Sequence, residues 1–406
     1  MTTPEIEPEV VPTSESVEEP KEDEKRRRVL LILLLFLLLC LCCMCGLIVR
    51  YLAKPQALPE MLLPTQVAGC YRPTYKFSIN NVDGPVAVAV SPDNQRIYAA
   101  EGKGERLIKM FDRDGKLITS FAPPGTDKAN RETKYMAVDP TGRVFIVDRT
   151  SNAIDIYDQD GKFIDAIIGQ QLTLSKFLTG VIGPIPDGTE IVHYEGINKM
   201  LSYKLPGDFS KTIQVTFSAD APQWSPLGLR FDGQGNLIYT DVTSDLHSVH
   251  IIPVASLTGS LSAFAPQIKE FGAQGAGNDQ FDFPQTVVQD GTGKFYISDG
   301  NKARISVWTP EMTYKTFFGF GSETGALNLP RGIWMGARNC LYVADAVGSL
   351  IRVYDVSGAE PAFSYEIGGY GVAEGAFNYP IDVFIDGTGR LYVADRGNNR
   401  IQVWSH

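Results

Sequence analysis

The sequence predicts an all-β propeller preceded by one membrane-spanning helix. Three observations lead there. A unit of short strands recurs through most of the chain at a near-constant period. Tight Asp-Gly turns join the strands inside each unit. A single uncharged apolar run lies near the N terminus, directly after a basic cluster.

The unit is clearest at Tyr379–Trp404, YPIDVFIDGTGRLYVADRGNNRIQVW. IDVFID alternates, a D-G-x-G turn follows, and RLYVAD, a loop rich in Gly and Asn, and RIQVW complete three strands. Turn residues that punctuate β-branched and aromatic runs mark antiparallel hairpins. Pro380 opens the unit, and its place is held upstream by Pro330, Pro284, Pro226, Gly180, Thr133 and Pro85. An acid ends each second strand: Asp395, and before it Asp345, Asp299, Asp241, Glu195, Asp148 and Glu101. The acid-to-acid steps are 50, 46, 58, 46, 47 and 47 residues. That period, with about four strands per unit, is the signature of a propeller. One small sheet cannot bury both its faces, so the ring is the folding unit. Seven acids predict seven blades, with six as the alternative. The unit at 177–217 is weak, but it keeps the period and counts as a blade.

Taken in order, residues 1–28 form an acidic tail without an aromatic residue, ending in Lys25-Arg26-Arg27-Arg28. Such a segment buries too little apolar surface to offset its ordering entropy and is expected to be disordered. Residues 29–49, VLLILLLFLLLCLCCMCGLIV, are long enough to cross ~30 Å of hydrocarbon as a helix. The basic cluster predicts a cytoplasmic N terminus. The expectation is a single-pass signal anchor in the cell membrane, with the propeller extracellular or periplasmic. Cys40, Cys42, Cys43 and Cys45 fill this helix as small apolar residues. Residues 50–70 read as a linker. Val67-Ala68-Gly69-Cys70 imitates a lipobox, but a Pro-containing stretch separates it from the apolar run, so it reads as the end of a tether. The two remaining cysteines, Cys70 and Cys340, suit either one disulfide in an oxidising compartment or two buried thiols. The propeller spans 71–406. Its last unit stops after three strands, and the KFSI segment at 76–79 can supply the fourth and close the ring.

Strand alternation sorts the loops by face. First-to-second and third-to-fourth connections are the tight Asp-Gly turns, and they share one face. Second-to-third loops and blade-to-blade joints are longer and more varied, and they share the other, where binding surfaces are usually built. All seven acids fall on this loop face. A base follows five residues later in Glu101/Arg106, Asp299/Arg304 and Asp395/Arg400, so acid and base can pair across the loop, and the acid can also accept loop N–H groups. These are read as structural acids. Asp148, Glu195 and Asp241 lack such a base. If the channel holds a divalent cation, those three would ligate it; otherwise no cofactor is expected. The net charge of −10 argues against nucleic-acid binding. No H-E-x-x-H or G-x-S-x-G motif occurs, and no catalytic residue is assigned.

The wording of the repeat resembles the NHL-repeat family, with its TolB-like propeller architecture. YVADRGNNRIQVW, YISDGNKARISVW at Tyr296–Trp308, and the joints FGAQGAGNDQFDFP, FGFGSETGALNLP and IGGYGVAEGAFNYP carry the likeness. It implies propellers that usually have six blades, a loop-fixing role for the repeat acids, and core positions for Phe281, Phe377 and Tyr379. Related propellers include amidating lyases that hold zinc through channel histidines, where this chain offers essentially His193, and gluconolactonase-type hydrolases that hold a metal through acidic ligands. The reading favoured is a binding or scaffold module for a protein, peptide or cell-wall partner, through Phe320, Tyr370, Asp245 and His247 on the loop face. A metal-dependent hydrolase or lyase and the ectodomain of a sensor complex are the alternatives.

Overall fold

The structure is a computed structural model that describes residues 30–31, 69–169, 172–198, 200–208, 212–216, 224–253 and 268–405. Of the tail 1–28, the apolar segment 29–49 and the linker 50–70, only residues 30–31 and 69–70 are among these. Within the described residues no helix is long and apolar enough to cross a membrane.

Six four-stranded antiparallel blades form the ring. Blade 1 runs Pro85–Val90, Arg96–Glu101, Ile108–Asp112 and Leu117–Phe121, from the innermost strand outward. Blade 2 begins at Thr133–Val138 and ends at Phe163–Gly169, with the short strand Leu172–Thr173 added at its outer edge. Blades 3, 4 and 5 begin at Pro226–Phe231, Pro284–Gln289 and Pro330–Gly336. Blade 6 has Pro380–Ile385, Leu391–Asp395 and Arg400–Ser405, and its outer strand is Thr74–Ile79 from the start of the domain. The ring is thus closed by pairing the two ends of the domain, which leaves no blade with an unpaired third strand.

Seven blades were expected, and the structure has six. The innermost strand of blade 2 packs directly against that of blade 3, as every other innermost strand packs against its neighbours around the ring. The seventh unit lies outside. It forms a three-stranded sheet, Glu190–Glu195, Met200–Lys204 and Ile213–Thr216. These stand in the order of a blade's second, third and fourth strands. The innermost strand is missing, because the residues before it form the helix Leu174–Ile182. Leu174, Phe177, Leu178 and Val181 recur at helical spacing. Thr173 caps the helix, accepting from the Lys176 N–H, and Gly183 ends it at φ 83°. Leu174 and Leu178 are buried against Tyr157, Phe163, Tyr194 and Tyr203 on the flank of blade 2. A blade without its innermost strand has nothing to contribute to the ring.

Blade-to-blade packing supplies the core. Tyr342, Ile351 and Val353 of blade 5 form one cluster with Val383, Leu391 and Val393 of blade 6. A Cys70–Cys340 disulfide joins the start of the domain to the second strand of blade 5. Cys340 lies at the turn-face end of that strand, so the chain enters the propeller on the face opposite the loops.

Candidate functional site

Each innermost strand shows a register shift immediately after the residue that opens it. Such bulges re-aim a side chain. The residue that follows the opening position is Val86, Lys134, Leu227, Gln285, Arg331 or Ile381, and all six line a cavity of about 400 Å³ at the loop-face mouth of the channel. Joint and loop residues complete the wall, among them Phe283, Tyr379, Arg149 and Arg396.

Phe283 (φ 63°) and Tyr379 (φ 58°) are held in the left-handed region, where bulky residues are outliers and which a following proline further disfavours. Both precede a proline, and Gly84 holds the equivalent place in blade 1 at φ 54°. Phe283 is fixed from behind: its N–H donates to His247 Nδ1 at 3.2 Å. Backbone strain of this kind costs about 1–3 kcal/mol and persists where the surroundings over-determine it, often at a binding site.

Below the mouth the channel is closed by Arg230, which is 2% exposed. From blade 3 its guanidinium reaches Asp382 Oδ1 of blade 6 at 2.5 Å, and it donates to the carbonyls of Met136 and Ile333 in blades 2 and 5. Trp334 lies 5.4 Å beneath the guanidinium and packs on Phe384 at 4.1 Å.

The repeat acids do not line the cavity. In each blade the acid accepts a backbone N–H from the joint that leads into the innermost strand. The bonds are Asp83 to Glu101, Glu132 to Asp148, Ser225 to Asp241, Asp282 to Asp299, Asn328 to Asp345 and Asn378 to Asp395, at 2.7–3.2 Å. Arg304 pairs with Asp299 at 3.0 Å, Arg400 with Asp395 at 2.8 Å, and Arg352 with Asp345 at 3.2 Å. Glu101 is paired with Lys109 at 2.8 Å and not with Arg106, which at φ 54° donates instead to the Arg131 carbonyl. Among the described residues Asp148 and Asp241 have no ion-pair partner, and besides the joint N–H each accepts from its own loop, from Ser151 Oγ and Thr243 Oγ1 respectively. Burial raises the pKa of Asp148, partly offset by these hydrogen bonds. Glu195 belongs to the sheet outside the ring and accepts from Asn130 Nδ2. Among the described residues no three His, Cys, Asp or Glu side chains are grouped to hold a metal.

The other expected residues are scattered. Phe320 and Tyr370 sit on the joints flanking blade 5, 66% and 81% exposed, with Val372 at 80% and Val347 at 60% nearby on the same face. Asp245 is exposed, and its N–H donates to Gln274 Oε1 at 2.6 Å. His247 is buried behind Phe283 and is not a surface contact. His193 lies in the outer sheet, 3.9 Å from Glu195. Phe281 and Phe377 are fully buried, whereas Tyr379 was expected in the core and instead faces the cavity. Sequence reasoning missed the cationic side chains of the mouth. Arg149 and Arg396 directly follow the repeat acids Asp148 and Asp395, and Lys134 and Arg331 follow the opening residues Thr133 and Pro330, but the repeat holds neither position constant.

The NHL repeat family matches residues 377–404, which is blade 6 from its joint to its third strand. No curated protein matches the chain. Among solved structures the chain is similar to a streptogramin B lyase, at 13% identity over 82% of this chain and 98% of that one, with a TM-score of 0.49. It is similar to virginiamycin B lyase from Staphylococcus aureus, at 14% identity over 81% and 98%, with a TM-score of 0.49. It is also similar to a Kuenenia stuttgartiensis hydrazine synthase, at 14% over 80% and 96%, with a TM-score of 0.49.

Proposed function

We propose that the chain is a membrane-anchored, extracytoplasmic binding module whose loop face engages a protein, peptide or cell-envelope partner. The observation that carries this reading is a set of exposed apolar side chains on the loop and joints of blade 5: Phe320, Val347, Tyr370 and Val372. They stand on a rigid ring, and exposed aromatic anchors of this kind contribute most of the energy of many interfaces. The apolar run 29–49 and the basic cluster before it support an anchor with a cytoplasmic tail.

Site-specific photo-crosslinkers test it. Placed at Tyr370 or Phe320 in the full chain, in membranes of cells that make it, they should form one discrete adduct that a crosslinker at Thr141 on the turn face does not. Equal labelling from both faces would sink the reading.

A further inference from the structure

The cavity at the channel mouth is cationic in a chain of net charge −10. Lys134, Arg149, Arg331 and Arg396 line it, against one carboxylate, Glu132. Glu132 is half exposed and paired with Lys134 at 2.7 Å. Among the described residues the three arginines have no ion-pair partner. Arg149 donates to Ser225, and burial lowers its pKa although Glu132 and Asp241 act against the shift. Arg331 donates to the Tyr379 hydroxyl at 3.4 Å, and Arg396 lies 5.9 Å over the Tyr379 ring. The Nε atoms of Arg331 and Arg396 are buried without a hydrogen-bond partner.

Three guanidinium groups lining one cavity repel one another, and an anion bound among them removes that repulsion. Guanidinium forks match carboxylate and phosphate oxygens in geometry. Beside them stand Phe283 and Tyr379, two rings held at unfavourable backbone angles, and the apolar Leu227 and Ile381. Below them the channel is shut by Arg230. We propose that this mouth binds a small organic anion, a carboxylate or phosphate on a flat or apolar body. The anionic group meets Arg331, Arg396 and Arg149, and the body lies between Phe283 and Tyr379. This site is separate from the apolar rim around blade 5 and does not depend on it.

Calorimetric titration of the full chain in detergent tests the proposal. The probes are phenyl phosphate and benzoate, with benzamide as the neutral isostere and inorganic phosphate as the anion without a body. At least one aromatic anion should bind at millimolar concentration or below, more tightly than benzamide or inorganic phosphate, and more weakly as salt is raised. Which of the two binds better separates a phosphate site from a carboxylate site. Arg331→Gln and Arg396→Gln should each weaken binding by about tenfold or more, as loss of a charge-assisted hydrogen bond requires, while Arg331→Lys keeps part of it. Unchanged melting temperatures show that the variants fold. Equal binding of benzamide, no binding by either aromatic anion, or full affinity in both folded Gln variants would overturn the proposal. Crosslinking at Tyr370 in the same variants should persist, so failure of the anion site and failure of the rim are read separately.

Discussion

Arg230 Nη2 and Asp382 Oδ1 meet at 2.5 Å across the channel, joining blades 3 and 6 on opposite sides of the ring. Both side chains are buried. Asp382 also accepts the Val88 N–H of blade 1 at 3.2 Å, and the guanidinium reaches carbonyls in blades 2 and 5. One ion pair therefore ties five blades together below the cavity. Burial raises the Asp382 pKa, and Arg230 opposes that shift.

Removing one partner should be worse than removing both. Arg230→Met leaves a buried carboxylate uncompensated and should lower stability by about 3–5 kcal/mol. Arg230→Met combined with Asp382→Leu should recover a large part of that loss. Denaturant melts of the two single variants and the double variant form the cycle, and additive losses would show that the pair does not act as a unit.

Asp155 carries a pH prediction. It is buried in blade 2, its Oδ1 has no partner, and burial holds its pKa well above the ordinary value, with Asp148 adding to the rise. Tyr157 and Tyr194 are the other titratable groups that it influences. The folded state therefore binds its proton more tightly than the unfolded chain does. Its contribution is most favourable below the unfolded carboxylate pKa and is lost as pH rises through the folded value. Asp155→Asn should melt higher than the parent at pH 8, and the gap should close towards pH 4. A gap that stays constant with pH would place the effect elsewhere.

Strain at Tyr379 reverses an ordinary ranking. Alanine usually stabilises relative to glycine, but at φ 58° a Cβ is strained and a glycine is not. Tyr379→Gly should melt above Tyr379→Ala, by a margin on the order of 1 kcal/mol. If alanine is the more stable, the positive angle is not enforced.

The disulfide between Cys70 and Cys340 closes a span of 270 residues and fastens the segment that supplies the closing strand. Cys340→Ser, or reduction, should cost about 2–5 kcal/mol. The measurement is a melt with and without reductant, and an unaffected Cys340→Ser variant under reductant is the control. Equal melts with and without reductant in the parent would mean that the bond contributes nothing.

Phe320 and Phe377 separate rim from core. Phe320→Ala should change stability by less than about 0.5 kcal/mol, as expected of an exposed site. Phe377→Ala, at a fully buried position, should cost about 3–5 kcal/mol. Thermal melts of the two variants decide it, and a large loss at Phe320 would make that joint structural.

The repeat, the tight turns, the closing strand and the acids that end second strands were legible in the sequence because each is local. A strand of alternating residues, an Asp-Gly turn, or a carboxylate within reach of the preceding joint's N–H groups is specified by its near neighbours. The number of blades was not. The stretch ending at Glu195 keeps the 46–47-residue spacing, yet only contact between Thr133–Val138 and Pro226–Phe231 shows that the ring passes it by. Period reports chain length, whereas membership of the ring depends on having an innermost strand, and here Leu174–Ile182 is helical. The cavity was equally hidden. Arg149 and Arg396 each follow a repeat acid and Arg331 follows an opening proline, positions that hold other residue types in the remaining blades, and the three meet because the ring brings blades 2, 5 and 6 onto one axis. Sequence fixes what each strand can do with its neighbours, and the closed ring alone decides which side chains face one another across its centre.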